Sequence, residues 1–118
     1  MAEEFFNYGL TSLMEDNTQT AIEYLTKSLE RNPESSASYL YRGIAYFKFG
    51  DYLSSISDFN NAEKLEGKSY DLLYNRAKAY FYNQDFSNGI NDLDSARNLG
   101  NLAEEQLDKI NALLNRFS

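Results

Sequence analysis

The sequence predicts an all-α chain of three helical hairpins, each a repeat of about 34 residues, followed by one closing helix. Three observations carry this. Small and large apolar residues recur in fixed columns at one constant interval: Gly9, Gly43 and Ala77, then Ala21, Ser55 and Gly89, then Leu25, Phe59 and Leu93, then Ser28, Ala62 and Ala96. Within each unit the apolar residues keep helical spacing, and no stretch alternates with period two, so no sheet is expected. After the third unit, residues 103–117 hold one more amphipathic stripe.

The first unit places Phe5, Gly9 and Leu13 on one helix, then Asp16-Asn17 at a turn. A second stripe follows in Ala21, Leu25, Ser28 and Leu29, and Pro33, the only proline, falls where a helix must end. In the second unit Tyr39, Gly43, Tyr46 and Phe47 share a helix that Gly50-Asp51 interrupts, with Asp51 placed as an N-cap. Its second stripe is Ile56, Phe59, Ala62 and Leu65, stopped near Gly67. The third unit repeats the plan with Leu73, Ala77 and Tyr80, a break at Asp85-Phe86, then Ile90, Leu93 and Ala96 up to Gly100. The closing stripe is Leu107, Ile110, Leu114 and Phe117, opposite Glu104, Glu105, Asp108, Lys109 and Asn115. A half-polar helix of this kind suits the open apolar face that stacked repeats leave at their end.

Gly43 breaks an otherwise favourable helix at a cost of about 1 kcal/mol. Its recurrence as Gly9 and Ala77 gives the reason: a small residue lets paired helices approach. The spacing predicts that Gly43 meets the second helix of its own unit, flanked by Tyr39 and Tyr46.

Composition narrows the function. The 118 residues contain no cysteine and no histidine, which removes disulfides, thiolate chemistry and the commonest general base and metal ligand. No cofactor or metal is expected. The net charge of -7 disfavours nucleic acid, because an acidic surface repels phosphates. Arg42, Lys48, Arg76 and Lys78 form the best basic cluster. The start MAEEFF lacks the basic and apolar regions of a signal peptide, and no apolar run reaches the roughly 20 residues that span a bilayer, so membrane insertion is not expected and a cytoplasmic location is. Catalysis has little support. Asp92 with Asp94, and Glu104 with Glu105, point in different directions on a helix and read as solvated polar faces, and no glycine-rich phosphate loop is present.

In this register the sequence resembles the tetratricopeptide repeat family, over essentially the whole chain. The columns that carry the resemblance are Tyr39, Gly43, Tyr46, Ser55, Phe59 and Ala62 in the second unit. In the third they are Leu73, Ala77, Tyr80, Gly89, Leu93 and Ala96, and in the first Phe5, Gly9, Ser12, Ala21, Leu25, Ser28 and Pro33. Ser12 departs from the usual tyrosine, and Gly67 and Asn101 replace the terminal proline of units two and three. The resemblance implies a right-handed superhelical α-solenoid, here a single domain with repeats 2–35, 36–69 and 70–103 and a capping helix 104–117.

It also implies a protein-interaction scaffold, not an enzyme, with a concave groove lined by the first helix of each unit. Carried over, the groove residues are Phe6, Leu10, Leu40, Tyr41, Ile44, Phe47, Lys48, Tyr74, Asn75, Lys78, Phe81 and Tyr82, with Leu13 and Met14 beside them. This set is apolar and aromatic, as partner sites are. Tyr41, Tyr74, Asn75 and Lys78 are expected to face the groove, whereas Phe47 and Phe81 also suit packing between helices. One subclass of the family clamps acidic C-terminal tails of chaperones with lysine, asparagine and arginine. The corresponding positions are Phe6, Leu10, Tyr41, Asp71 and Asn75, none of them positively charged, so a carboxylate clamp is not expected. Arg76 sits in a packing column, and its head is expected to reach solvent. The expected ligand is an extended segment or amphipathic helix of a protein partner. The alternative is self-assembly, with the groove or a terminal helix pairing with a second copy.

Overall fold

A computed structural model describes residues 2–117, and among them there are seven α-helices and no strand. The helices are α1 (Ala2–Met14), α2 (Thr18–Arg31), α3 (Ser36–Phe49), α4 (Tyr52–Glu66), α5 (Tyr70–Tyr82), α6 (Phe86–Arg97) and α7 (Glu104–Phe117). The helices α1, α3, α5 and α7 begin at Ala2, Ser36, Tyr70 and Glu104, which keep the interval of the sequence columns. The chain divides into two compact units, Met1–Gly67 and Lys68–Ser118.

In the first unit α1 packs on α2, α2 on α3 and α3 on α4. Leu25 and Phe59 are fully buried at the two hairpin crossings. A Cβ on Gly9 would lie 2.7 Å from Leu25 Cγ, and one on Gly43 would lie 2.8 Å from Phe59 Cε1. The glycines therefore admit the large side chain of the facing helix, as the spacing predicts. Ser55 Oγ adds a hydrogen bond to the Gly43 carbonyl at 2.7 Å across the same crossing. Tyr39 and Tyr46 each bring a ring centre to 5.7 Å from the Arg42 guanidinium carbon.

Local chemistry sets the helix ends. Asp51 Oδ1 accepts from the Ser54 N–H at 3.1 Å, the N-cap expected there. Ser35 and Ser69 cap α3 and α5 in the same way, through the N–H groups of Ser38 and Leu72. Gly50 ends α3 with φ 97°, a left-handed conformation that glycine adopts without a Cβ clash. Asn17 stands at the start of α2 but its side chain makes no cap bond.

In the second unit α5 packs on α6, and α7 lies against both. Leu73, Ala77, Leu93, Ala96 and Ile110 are fully buried. The closing helix differs from expectation in phase. Ile110 and Leu113 are its buried residues, whereas Leu107, Leu114 and Phe117 are half-buried. Ile90 on α6, and Leu65 on α4 in the first unit, belong to the expected stripes but are exposed.

Two pairs of charges occupy the hairpin interiors. Arg42 Nε and Nη2 donate to Asp58 Oδ2 and Oδ1 at 2.7 and 2.8 Å, and Nη1 donates to Thr26 Oγ1 at 3.1 Å, so one guanidinium ties α3 to both α4 and α2. The Asp58 carboxylate, hydrogen-bonded to it, holds Arg42 above the ordinary guanidinium range. Arg76 repeats the bidentate pair with Asp92 at 2.8 and 2.9 Å. This corrects two expectations. The Arg76 head is buried instead of reaching solvent, and Asp92 belongs to the interior instead of a solvated face.

Candidate functional site

The candidate residues sit on α1 and α3 in the first unit and on α5 in the second, and each unit has its own geometry. In the first unit a small core of Leu13, Ala21 and Ala45 supports Ile22, Tyr41 and Ile44, which lie partly exposed upon it. Phe6 meets the Tyr41 ring edge-on, with centroids 6.0 Å apart. Leu10 and Leu40 are half-buried, and Met14 is exposed. Phe47 is half-buried and its ring packs on Tyr52, 5.5 Å away. Lys48 Nζ lies 3.6 Å from Asp16 Oδ1. The result is an apolar ridge of half-buried rings and branched chains. Its one expected cation, Lys48, lies beside an acid in the turn between α1 and α2.

In the second unit Tyr74 stacks on Tyr70 at 5.4 Å with an interplanar angle of 15°, and Lys78 Nζ stands 5.3 Å from the Tyr74 ring centre. Asn75 Nδ2 donates to the Asp71 carbonyl at 2.7 Å. Tyr74, Asn75 and Lys78 are half-buried, and Asp71 is exposed. Tyr82 is exposed, its ring edge-on to Phe117 at 5.5 Å and beneath the Arg116 guanidinium.

Phe81 is withdrawn from the candidate set. It is 1% exposed, stacked parallel on Phe117 at 4.9 Å, and a Cβ on Gly89 would lie 2.8 Å from its Cε1. It is a core ring that joins α5, α6 and α7. The basic cluster dissolves for a similar reason, since both of its arginines are committed to buried aspartates.

The Tyr70 hydroxyl carries no signal in the sequence. Its oxygen is closed off from solvent and has no hydrogen-bond partner among the described residues, although the residue as a whole is only half-buried. Burial first, then the nearby Tyr74, Asp71 and Glu105, push this phenol up to about 12.

No protein-family model matches the chain. Among curated proteins, it is 32% identical over 100 residues to the DnaJ homolog subfamily C member 3 homolog of Dictyostelium discoideum. That match covers 81% of this chain but only 18% of the relative. Among solved structures, the first TPR of Spaghetti (RPAP3), bound to the HSP90 peptide SRMEEVD, superposes with a TM-score of 0.86 at 20% identity, over 98% of this chain and 91% of that one. The fold is that of a tetratricopeptide repeat domain. The same repeat fold relates the chain to the type III secretion translocator chaperone SycD of Yersinia enterocolitica, with a TM-score of 0.89 at 14% identity over 98% of this chain and 90% of that one. The half-buried ridge of the first unit lies on α1 and α3, and the half-buried Tyr74, Asn75 and Lys78 of the second lie on α5. No helix among the described residues is long and apolar enough to cross a membrane.

Proposed function

We propose that the chain is a protein-interaction module, a single domain of three repeats and a capping helix, that holds a segment of a partner protein on the first helices of its repeats. The observation that carries the reading is the Phe6–Tyr41 edge-on pair, with Tyr41 and Ile44 both packed on the Leu13, Ala21 and Ala45 core. These are large apolar groups left half-open on a ridge whose inner side is already well packed. Half-open rings of this kind gain most from a partner that completes their burial. Tyr74, Asn75 and Lys78 extend the same set on α5, and Leu10, Leu40, Phe47, Lys48 and Tyr82 complete it. The fold supports a peptide-type ligand, since one protein that shares it was solved with a bound peptide.

The finer reading is that this module does not clamp a terminal carboxylate. What supports it is the side-chain set: Phe6, Leu10, Tyr41, Asp71 and Asn75 carry no positive charge at the positions that the family resemblance assigns to the clamp. Fluorescence titration with SRMEEVD tests this directly. Weak or no binding is expected, and tight binding lost on adding salt reverses the finer reading while leaving the module intact.

The broader reading is tested by selecting binders from a random peptide library on the immobilised chain and repeating the capture with the Tyr41→Ala/Tyr74→Ala double variant. Loss of binding with helicity retained is expected. Undiminished capture places the ligand elsewhere. Self-assembly is the second reading, favoured by Phe86 and Ile90, which are 44% and 42% exposed one turn apart on α6. A light-scattering concentration series separates the two: a stable dimer abolished by Ile90→Glu favours the second.

A further inference from the structure

A cleft of about 250 Å³ opens in the first unit, between the start of α1 and the start of α3. Ala2, Phe6 and Ala37 supply its apolar lining, and Glu3, Asn32 and Ser35 its polar one. Sites for drug-sized ligands occupy about 300–1,000 Å³, so this cleft is sized for a side chain or two of a larger partner. Phe6 joins it to the ridge, through its edge-on contact with Tyr41.

Two of the three polar residues are already used. Asn32 Oδ1 accepts from the Glu34 N–H at 3.2 Å, and Ser35 Oγ accepts from the Ser38 N–H and donates to Ser38 Oγ. Glu3 is exposed and makes no ion pair with a described residue. The nearby cations of α2, Lys27 and Arg31, stand over the Phe5 ring at 5.8 and 5.7 Å. Arg42 is bound to buried Asp58, and Lys48 lies beside Asp16. Glu3 is the charged residue of the cleft's lining, so the charge the lining presents is negative, on a chain whose net charge is -7. Complementary charge favours the right partner and disfavours the wrong one.

We propose that this cleft receives a large apolar side chain of the partner segment, and that a lysine or arginine beside that side chain pairs with Glu3. The partner is a basic, apolar segment, opposite in charge to an acidic tail. This deepens the reading of the first-helix ridge as the interaction face and rests on it.

The test is fluorescence anisotropy with three labelled peptides: one with leucines at helical spacing flanked by lysines, its counterpart with every lysine replaced by glutamate, and SRMEEVD. The lysine peptide is expected to bind roughly tenfold or more tighter than the other two at low salt, with the gap narrowing as salt screens the charges. Glu3→Lys should weaken the lysine peptide roughly fivefold to tenfold, whereas Glu66→Lys, the same change at the end of α4, should leave it within about twofold. Equal effects of the two reversals would mean that net charge attracts the peptide and that the cleft is not its site. Glutamate peptide or SRMEEVD binding as tightly as the lysine peptide overturns the charge preference but leaves the ridge standing. Lysine-peptide binding that survives Tyr41→Ala/Tyr74→Ala yet falls with Glu3→Lys sinks the ridge and keeps the cleft. Absence of binding by all three peptides counts against both.

Discussion

The hairpins α1–α2 and α3–α4 share a backbone plan but fill one pair of positions differently. In α3–α4, Arg42 and Asp58 form a bidentate bridge, and α5–α6 repeats it one unit later with Arg76 and Asp92. In α1–α2 the same positions hold Tyr8 and Tyr24, whose rings meet at 5.4 Å, with Tyr8 54% exposed. Where the position is enclosed, a bidentate arginine–aspartate pair is held inside. Where it is open, two rings meet across the hairpin in place of the charge pair. The repeat therefore specifies that this position must be filled and bridged, and leaves the chemistry to the surroundings. The functional consequence is that the two arginines that look available to an anionic ligand are structural.

Breaking the enclosed bridge should have the largest effect. Asp92→Ala leaves the Arg76 charge buried without its carboxylate and is expected to cost about 3–5 kcal/mol in urea denaturation, with Asp58→Ala costing less because Arg42 is nearer solvent. Equal, small losses from both would mean that the bridges are not enclosed as described. Gly43→Leu comes next. Phe59 already sits where a Cβ would go, and overpacking of this kind costs about 1–3 kcal/mol, read from the same denaturation curves. Tyr24→Ala sharpens the contrast from the open side: losing ring contacts with Phe5 and Tyr8 should cost less than losing Asp92, about 0.5–1.5 kcal/mol beyond the area lost.

The smallest expected effect has the opposite sign. Tyr70→Phe removes a closed-off hydroxyl with no hydrogen-bond partner among the described residues and should leave stability unchanged or slightly raised. The folded state holds this phenol neutral, up to about 12, above the usual value of about 10. The stability linked to that shift is complete below the usual tyrosine range and is lost as pH rises through about 12. Tyrosinate absorbance at high pH should lose late-titrating signal in Tyr70→Phe relative to the parent. An unchanged titration would mean that Tyr70 ionises like an exposed phenol.

Much of the hairpin plan is legible in residue spacing, because packing of paired helices demands small and large residues at fixed places. Gly9 against Leu25 and Gly43 against Phe59 are direct outcomes of those columns. The bridges are harder to see, since an arginine or aspartate on a helix reads first as surface. The signal is nonetheless present: Arg42 and Asp58 recur together as Arg76 and Asp92. Phe81 misleads for another reason. Helix α5 is apolar on more than one face, so periodicity alone does not say which ring meets Phe117 and which meets solvent. Leu113 escapes the spacing because Leu114 beside it fits a stripe with Leu107, whereas the helix turns Leu113 and Ile110 inward.

The most direct test of the interaction face is an amide NMR titration of the whole chain with a peptide selected from a random library. Perturbations concentrated on Phe6, Leu10, Tyr41, Ile44, Tyr74 and Lys78, with α2 and α6 quiet, are the predicted result. Perturbations centred on Phe86 and Ile90, with the α1 and α3 ridge unmoved, would contradict it.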